Sequence, residues 1–301
     1  MRVALITGAL GFVGKKLTQR LLGENYKVIA VDCIDPSLVG EREGVTYIKS
    51  DLSSVSDFPE IAEQCDVLYH LAWIGVKPEA RSDIHVQKKN IDLSVAAVEL
   101  AKKLSVPRVV FIGSTMEYCY NDREICERSL PTPHNSYGSA KIATRFIAQE
   151  LCQSYGIEFE YAVITSIYGP GREDNNVIYY CIKKLMSGEC AELTECIQKW
   201  DFVHIDDATE ALRLIGERGV PSSFYCIGTG ENRPLRECID IISSLIDSSA
   251  SIKFGAVKYK DGRIAHSAID ISKLTADTGY TPKYNFREGI AEVIDFYRKK
   301  A

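Results

Sequence analysis

Tyr137 and Lys141, in the stretch "SYGSAK", stand four residues apart, so a helix through them puts both side chains on one face. A free tyrosine ionises near pH ~10, and a neighbouring ammonium favours its phenolate. Such a phenolate takes the proton from a hydroxyl while hydride leaves the same carbon. Tyr and Lys at this spacing are also common on solvated helix surfaces, so the pair alone defines no site. Upstream, "FIGSTMEY" ends an apolar run in Ser114 and Thr115. Carboxyl ends of parallel strands face the ligand crevice, where the Ser114 hydroxyl would bind the same substrate hydroxyl.

A hydride needs an acceptor, and the chain opens with a place for one. In "TGALGFVG" the glycines Gly8, Gly11 and Gly14 follow the apolar run Val3–Ile6 and open a helical segment at Phe12 and Val13. Gly8 permits a tight turn, Gly11 lets a pyrophosphate approach the backbone, and Gly14 allows close helix–strand packing. The free N–H groups and positive dipole of the helix N-terminus complete a phosphate cradle. Asp32 ends the next strand, where its carboxylate would accept hydrogen bonds from an adenosine ribose and repel a 2′-phosphate. NAD is therefore expected rather than NADP. A glycine-rich surface turn beside an ordinary strand-end aspartate is the alternative.

These residues need a scaffold, and hydrophobic periodicity supplies one. "RVALIT", "YKVIAVD", "VTYIKSD", "CDVLYHLA", "PRVVFIGS" and "IEFEYAVIT" read as six strands. Between them, "FVGKKLTQRLL" places Val13, Leu17 and Leu21 on one helical face and stops at Gly23, an expected C-terminal cap. A long helix is expected from about 83 to 104, and another over "SYGSAKIATRFIAQELCQSY". Alternating β and α units with buried strands predict an α/β fold, a doubly wound parallel sheet of Rossmann type. Past Tyr168 the Gly/Pro/Asn-rich "YGPGREDNN" begins a different texture, with shorter and more widely separated strands. Residues 1–169 are expected to form the dinucleotide-binding domain and 170–301 mainly a smaller α/β substrate lobe. A strand near 224–228 is expected to return to the main sheet.

Composition narrows the class. With 301 residues, 46% hydrophobic and 26% charged, the chain is ordinary for a soluble globular protein. Its net charge of -5 offers no electrostatic footprint for nucleic acid. No apolar run approaches the roughly 20 residues that span a bilayer, and the N-terminus lacks the layout of a signal peptide. The 10 cysteines include no C-x-x-C pair and mostly sit in apolar-periodic segments, so reduced thiols and a cytoplasmic location are expected. The five histidines form no metal pattern. His70 and His204 are expected to be packed or hydrogen-bonded; His85, His134 and His266 receive no role. Glu117, beside the strand end, is considered for a substrate contact.

Together these motifs resemble the extended short-chain dehydrogenase/reductases acting on nucleotide sugars, the NAD-dependent epimerase/dehydratase family. "TGALGFVG" is similar to its glycine motif, "HLA" at 70–72 to its fourth-strand motif, and Asn90 to the asparagine of its fourth helix. Ser114, Tyr137 and Lys141 match its catalytic Ser/Thr, Tyr and Lys. "YGPG" at 168–171, "WDFVHIDDATEAL" at 200–212 and "IGTGENRPLRE" at 227–237 continue in order. The resemblance implies cofactor contacts at Asp51, Leu52, Leu71, Ala72 and Asn90, and a nicotinamide-ribose contact from Lys141. It also implies a sugar-nucleotide site in the C-terminal lobe and a homodimer through the two long helices.

Departures from that pattern are informative. The dehydratase branch has Asp-Glu directly after its catalytic Thr, where this chain has Thr115 and Met116; methionine moves no proton. Ser166 replaces an asparagine, and Trp200 replaces an arginine that usually grips the diphosphate. Either Lys199, Arg172, Lys260 or Arg263 would take over that grip, or the substrate differs. Trp200 would stack on a base or sugar, or pack in the core. The expected activity is NAD-dependent epimerisation of a nucleotide sugar through a transient ketone. The alternatives are an NAD(P)H-dependent reductase of a nucleotide-linked 4-keto-6-deoxy sugar, and a dinucleotide-sensing or interaction protein.

Overall fold

The computed structural model describes residues 1–119, 124–172, 176–246, 250–259 and 267–300. The first half holds β1 (Arg2–Thr7), α1 (Phe12–Gly23), β2 (Tyr26–Asp32), β3 (Val45–Lys49), β4 (Val67–His70) and α2 (Ile84–Lys103). Then come β5 (Arg108–Ser114), α3 (Ser136–Tyr155) and β6 (Glu158–Ile164). Beyond them lie β7 (Ser166–Tyr168), α4 (Val177–Met186), β8 (Ala191–Glu192), β9 (Lys199–Trp200), β10 (Phe202–His204) and α5 (Ile205–Arg218). The chain closes with β11 (Phe224–Ile227), β12 (Arg233–Pro234), α6 (Leu235–Leu245), β13 (Ile252–Lys253), α7 (Ser272–Thr278) and α8 (Phe286–Arg298).

Seven strands form one sheet in the order β11-β6-β5-β4-β1-β2-β3. Every pairing in it is parallel. This is the doubly wound, Rossmann-type sheet expected of alternating β and α units, and β11 is the returning strand. The register sets Thr7 beside Val31 and His70, and His70 beside Phe111, so the carboxyl ends share one edge. Alternation along each strand divides the core. Val3, Leu5, Val109, Phe111 and Val163 face α2 and α3, while Ala4, Ile6, Val110 and Ile164 face α1 and α5.

A third apolar cluster joins α4, α6 and α8 around Tyr179, Ile239 and Ile290. This part has the short, separated strands expected of it (β8, β9, β12 and β13) between helices. In "LRECIDIISSL" and "FREGIAEVIDFYR" helical periodicity sets α6 and α8, with Asn285 capping α8 through the Glu288 N–H. The boundary expected at residue 169 is crossed by β11, α5 and α7, whose Tyr225, Leu212 and Leu274 pack into the main sheet's core. Gly23 is not the left-handed cap expected of it. It is the last residue of α1, and Asn25 takes the positive φ of 63°. No helix among the described residues is long and apolar enough to cross a membrane.

Candidate active site

The glycine turn, Asp32, Ser114 and Tyr137 all lie at the ends of elements. Gly8 leaves β1 with φ of 69°, and a Cβ on it would lie 2.7 Å from the Ala72 backbone nitrogen. Only glycine fits both the left-handed turn and that approach. Gly11 caps α1, and the Lys15 N–H bonds back to its carbonyl. At Gly14 a Cβ would fall 2.3 Å from the Gly8 carbonyl oxygen, so the helix is packed onto its own turn. Phe12 and Val13 make the first turn of α1 beside the open cradle.

Asp32 lies beside this turn. Its Oδ2 accepts the Leu10 N–H at 2.9 Å and its Oδ1 the Ile34 N–H at 3.2 Å. Asp51 and Leu52 follow β3, Leu52 with φ of 62°. Leu71 and Ala72 follow β4, tied to Thr7 through the Leu71 N–H. Asn90 is buried, and its amide is occupied: Oδ1 accepts the Ile74 N–H at 2.7 Å and Nδ2 donates to the Ile74 carbonyl at 2.8 Å. Any effect of Asn90 on a cofactor therefore runs through the loop after β4. The cradle, the strand-end carboxylate and the crevice fit a dinucleotide.

Across the sheet edge, β5 ends in Ser114 and turns sharply through a 3₁₀ segment, Thr115–Glu117. The α3 helix approaches so closely that a Cβ on Gly138 would lie 2.4 Å from the Met116 carbonyl oxygen. This contact brings Tyr137 next to Ser114, whose hydroxyl favours the phenolate. Burial raises the Tyr137 pKa, while the Ser114 hydroxyl and the charges of Arg81 and Arg172 oppose that rise. Lys141, one turn along, is buried and donates to the Ile112 carbonyl at 2.7 Å. Burial draws its ammonium pKa down and the Glu117 carboxylate pushes it back up.

Glu117 does not face a substrate. It is fully buried beneath the turn, with Oε1 accepting the Ser114 N–H at 2.7 Å and the Tyr161 hydroxyl at 2.9 Å. The expectation of a substrate contact is corrected by this burial: the carboxylate braces the catalytic turn from below. His70 is packed between Thr7 and Ser94, with hydrogen bonds of 2.8 and 3.1 Å. Buried His204 stacks on Tyr284 at 3.9 Å between ring centroids.

Among the residues considered for the sugar nucleotide, Thr115 accepts a hydrogen bond from Ser267 at 3.0 Å. Ser166 and Trp200, both departures from the family pattern, touch each other: the indole Nε1 donates to Ser166 Oγ at 2.7 Å. Trp200 is half-buried, with its ring stacked on Phe202. Arg172 donates to the Ile167 carbonyl and sits over the Phe12 ring at 5.7 Å, bridging the glycine turn and Tyr137. Lys199 is exposed on β9. Arg263 and Lys260 lie outside the described residues.

Sequence reasoning missed two members of this site. Arg81 places its guanidinium 5.8 Å from the Tyr137 ring centroid, and its carbonyl accepts the Tyr137 N–H at 2.9 Å. Trp73 meets the Tyr137 ring edge-on at 5.7 Å. Both belong to an irregular loop with no periodicity to mark them, although Trp73 directly follows the "HLA" motif.

Asp32→Ala tests the cofactor end. Removing the ribose acceptor and the charge is expected to narrow the preference for NAD over NADP by about tenfold, as one lost charge-assisted hydrogen bond implies. Titration of stripped protein with both nucleotides reads this, and an unchanged ratio would remove Asp32 from the site.

The comparisons with known proteins give the family and the fold. A family model described as the NAD dependent epimerase/dehydratase family matches residues 4–228. CDP-abequose synthase of Salmonella muenchen is 27% identical over 301 residues, covering 96% of this chain and 96% of its own. Among solved structures, a UDP-N-acetylglucosamine 4-epimerase from Methanobrevibacter ruminantium M1 gives a TM-score of 0.87 at 23% identity, over 100% of this chain and 99% of that one. A UDP-glucuronic acid 4-epimerase from Bacillus cereus, in complex with UDP-glucuronic acid and NAD, gives 0.87 at 23% identity, over 99% of this chain and 100% of that one.

Proposed function

This chain belongs to the NAD-dependent epimerase/dehydratase family, and on that premise we propose that it epimerises a nucleotide-linked sugar through a transient ketone. The observation that carries this reading is the meeting of Ser114, Tyr137 and Lys141 at the carboxyl edge of the sheet, across from the glycine turn. Bound NAD supplies the hydride acceptor and returns the hydride. Gly8, Gly11, Phe12, Val13 and Gly14 cradle its pyrophosphate, and Asp32 holds the adenosine ribose. Asp51 and Leu52 flank the adenine, Leu71 and Ala72 line the crevice, and Lys141 holds the nicotinamide ribose. Ser114 orients the sugar hydroxyl; Tyr137 takes its proton and gives it back. Loss of a hydroxyl from the sugar is not expected, because Thr115 is tied to Ser267 and Met116 has no proton to give.

The sugar nucleotide lies between this edge and the segment beyond residue 170, where Thr115, Ser166, Arg172, Lys199 and Trp200 are the described residues proposed to contact it. Two copies associate through α2 and α3, which pack side by side and leave Ile84, Phe146 and Ile147 exposed. The ten free thiols favour a reducing compartment, the cytoplasm.

A reductase is the second reading, since one similar protein is named CDP-abequose synthase, a name that does not state epimerisation. The same residues serve it, with Tyr137 as the acid. Two assays separate the readings after a thermal-shift panel of UDP-, GDP-, CDP- and dTDP-sugars has named the nucleotide. With trace NAD, an epimerase interconverts two sugar nucleotides without net change in NADH absorbance. With excess NADH or NADPH and a 4-keto-6-deoxy sugar, a reductase oxidises one cofactor per product. Stoichiometric oxidation with no epimer formed would overturn the epimerase.

A further inference from the structure

Lys141 has an unusual companion. Its ammonium lies 3.6 Å from the centroid of the Trp73 ring, and the Ile112 carbonyl is its one hydrogen-bond acceptor among the described residues. An ammonium carries three donors, so a buried lysine with one acceptor needs another source of charge stabilisation. The negative face of an indole is such a source, and it is strongest away from water.

The indole is fixed from behind. Trp73 Nε1 donates to Gln87 Oε1 at 3.0 Å, and Gln87 is itself buried, its Nε2 donating to the carbonyls of Gly75 at 3.2 Å and Ala80 at 3.0 Å. Asn90 grips both backbone polar groups of Ile74, accepting from its N–H and donating to its carbonyl. The ring's face is thereby presented to Lys141, and the ring stands nearly perpendicular to that of Tyr137. Other charged or titratable groups approach from each neighbouring element. Glu117 lies below in the 3₁₀ turn, Tyr137 precedes Lys141 on α3, and Arg81 stands over Tyr137 from the loop. From β4 comes His70, held neutral, its pKa drawn down to about 3 by burial and by the Lys141 charge.

We propose that Trp73 is a positioning residue, whose indole face holds the Lys141 ammonium charged and in place before the cofactor arrives. The proposal rests on the reading of Lys141 as the ribose-binding catalytic lysine. Its physical core, the contact between indole and ammonium, can be tested without that reading.

The chain has 2 tryptophans, so Trp200→Phe leaves Trp73 as the sole indole reporter. Its emission is expected to show a titration step between about pH 6 and pH 10 in cofactor-free protein, as the buried lysine loses its proton. Adding Lys141→Met should abolish the step. Adding Glu117→Gln should keep it but move its midpoint down, because the carboxylate that favours the ammonium is gone. A step that survives Lys141→Met, or disappears with Glu117→Gln, overturns the proposal. If Trp200→Phe fails to fold, the wild-type minus Lys141→Met difference emission gives the same information.

A second arm measures NAD binding by calorimetry at pH 8. Trp73→Leu should weaken it about tenfold, the scale of one desolvated cation–π contact, and Trp73→Phe, which keeps an aromatic face, should stay within about threefold of wild type. Equal affinity for Trp73→Leu and wild type overturns the positioning role. If the emission step is present in Trp200→Phe and abolished by Lys141→Met, but Lys141→Met binds NAD as tightly as wild type, the ribose-binding reading of Lys141 falls and the contact stands.

Discussion

Tyr137→Phe is expected to lower turnover by roughly 100- to 10,000-fold, the range that general acid–base catalysis supplies, while NAD binding survives. The substitution deletes one hydroxyl and keeps the ring. The edge contact with Trp73 and the Arg81 guanidinium over the ring both persist. What is lost is the hydroxyl beside Ser114, the group that holds the proton. The measurement is steady-state turnover on the sugar nucleotide found by thermal shift, with NAD affinity measured on the same preparation. A loss below about tenfold would assign the proton to another group. Glu117 is a poor replacement, since it is fully buried and already braces Ser114 and Tyr161. Loss of NAD binding in step with turnover would mean that the ring, and not the proton, had been disturbed.

Gly14→Ala is expected to destabilise the protein by about 1–3 kcal/mol, the usual cost of overpacking, and to remove most NAD affinity. The added methyl would meet the Gly8 carbonyl oxygen at 2.3 Å and the Ala9 carbonyl carbon at 2.7 Å. Both are backbone atoms, so the first turn of α1 must move away from the cradle it closes. That shift also pulls the helix N-terminus from the position of the pyrophosphate. Gly23→Ala is the control on the same helix. Its Cβ meets nothing within 4 Å, so it should be neutral or stabilise by up to ~1 kcal/mol, the difference in helix propensity. Thermal unfolding and NAD titration of both variants decide the matter, and similar behaviour of the two would remove the close-packing argument.

Much of this protein was legible in its sequence because the signals are local. A strand buried on both faces is a short apolar run, and a helix carries its own period, so α3 begins and ends at the residues that the pattern marks. The glycine spacing and the Tyr137–Lys141 spacing are likewise relations between near neighbours. Ser114 was found because strand ends in a parallel sheet share an edge.

The sequence alone determined the doubly wound sheet, the strand–turn–helix cradle and the pairing of Tyr137 with Lys141, since each follows from backbone periods and residue types within a few positions. Tertiary structure decided what surrounds them. It buried Glu117 beneath Ser114, brought Arg81 and Arg172 to Tyr137 from two separate loops, set Trp73 against Lys141 and joined Trp200 to Ser166 across 34 residues. These contacts depend on the paths of irregular loops and on how α3 seats against the turn after β5. No periodicity encodes either, because a loop residue has no repeating neighbour to reveal which way its side chain will face.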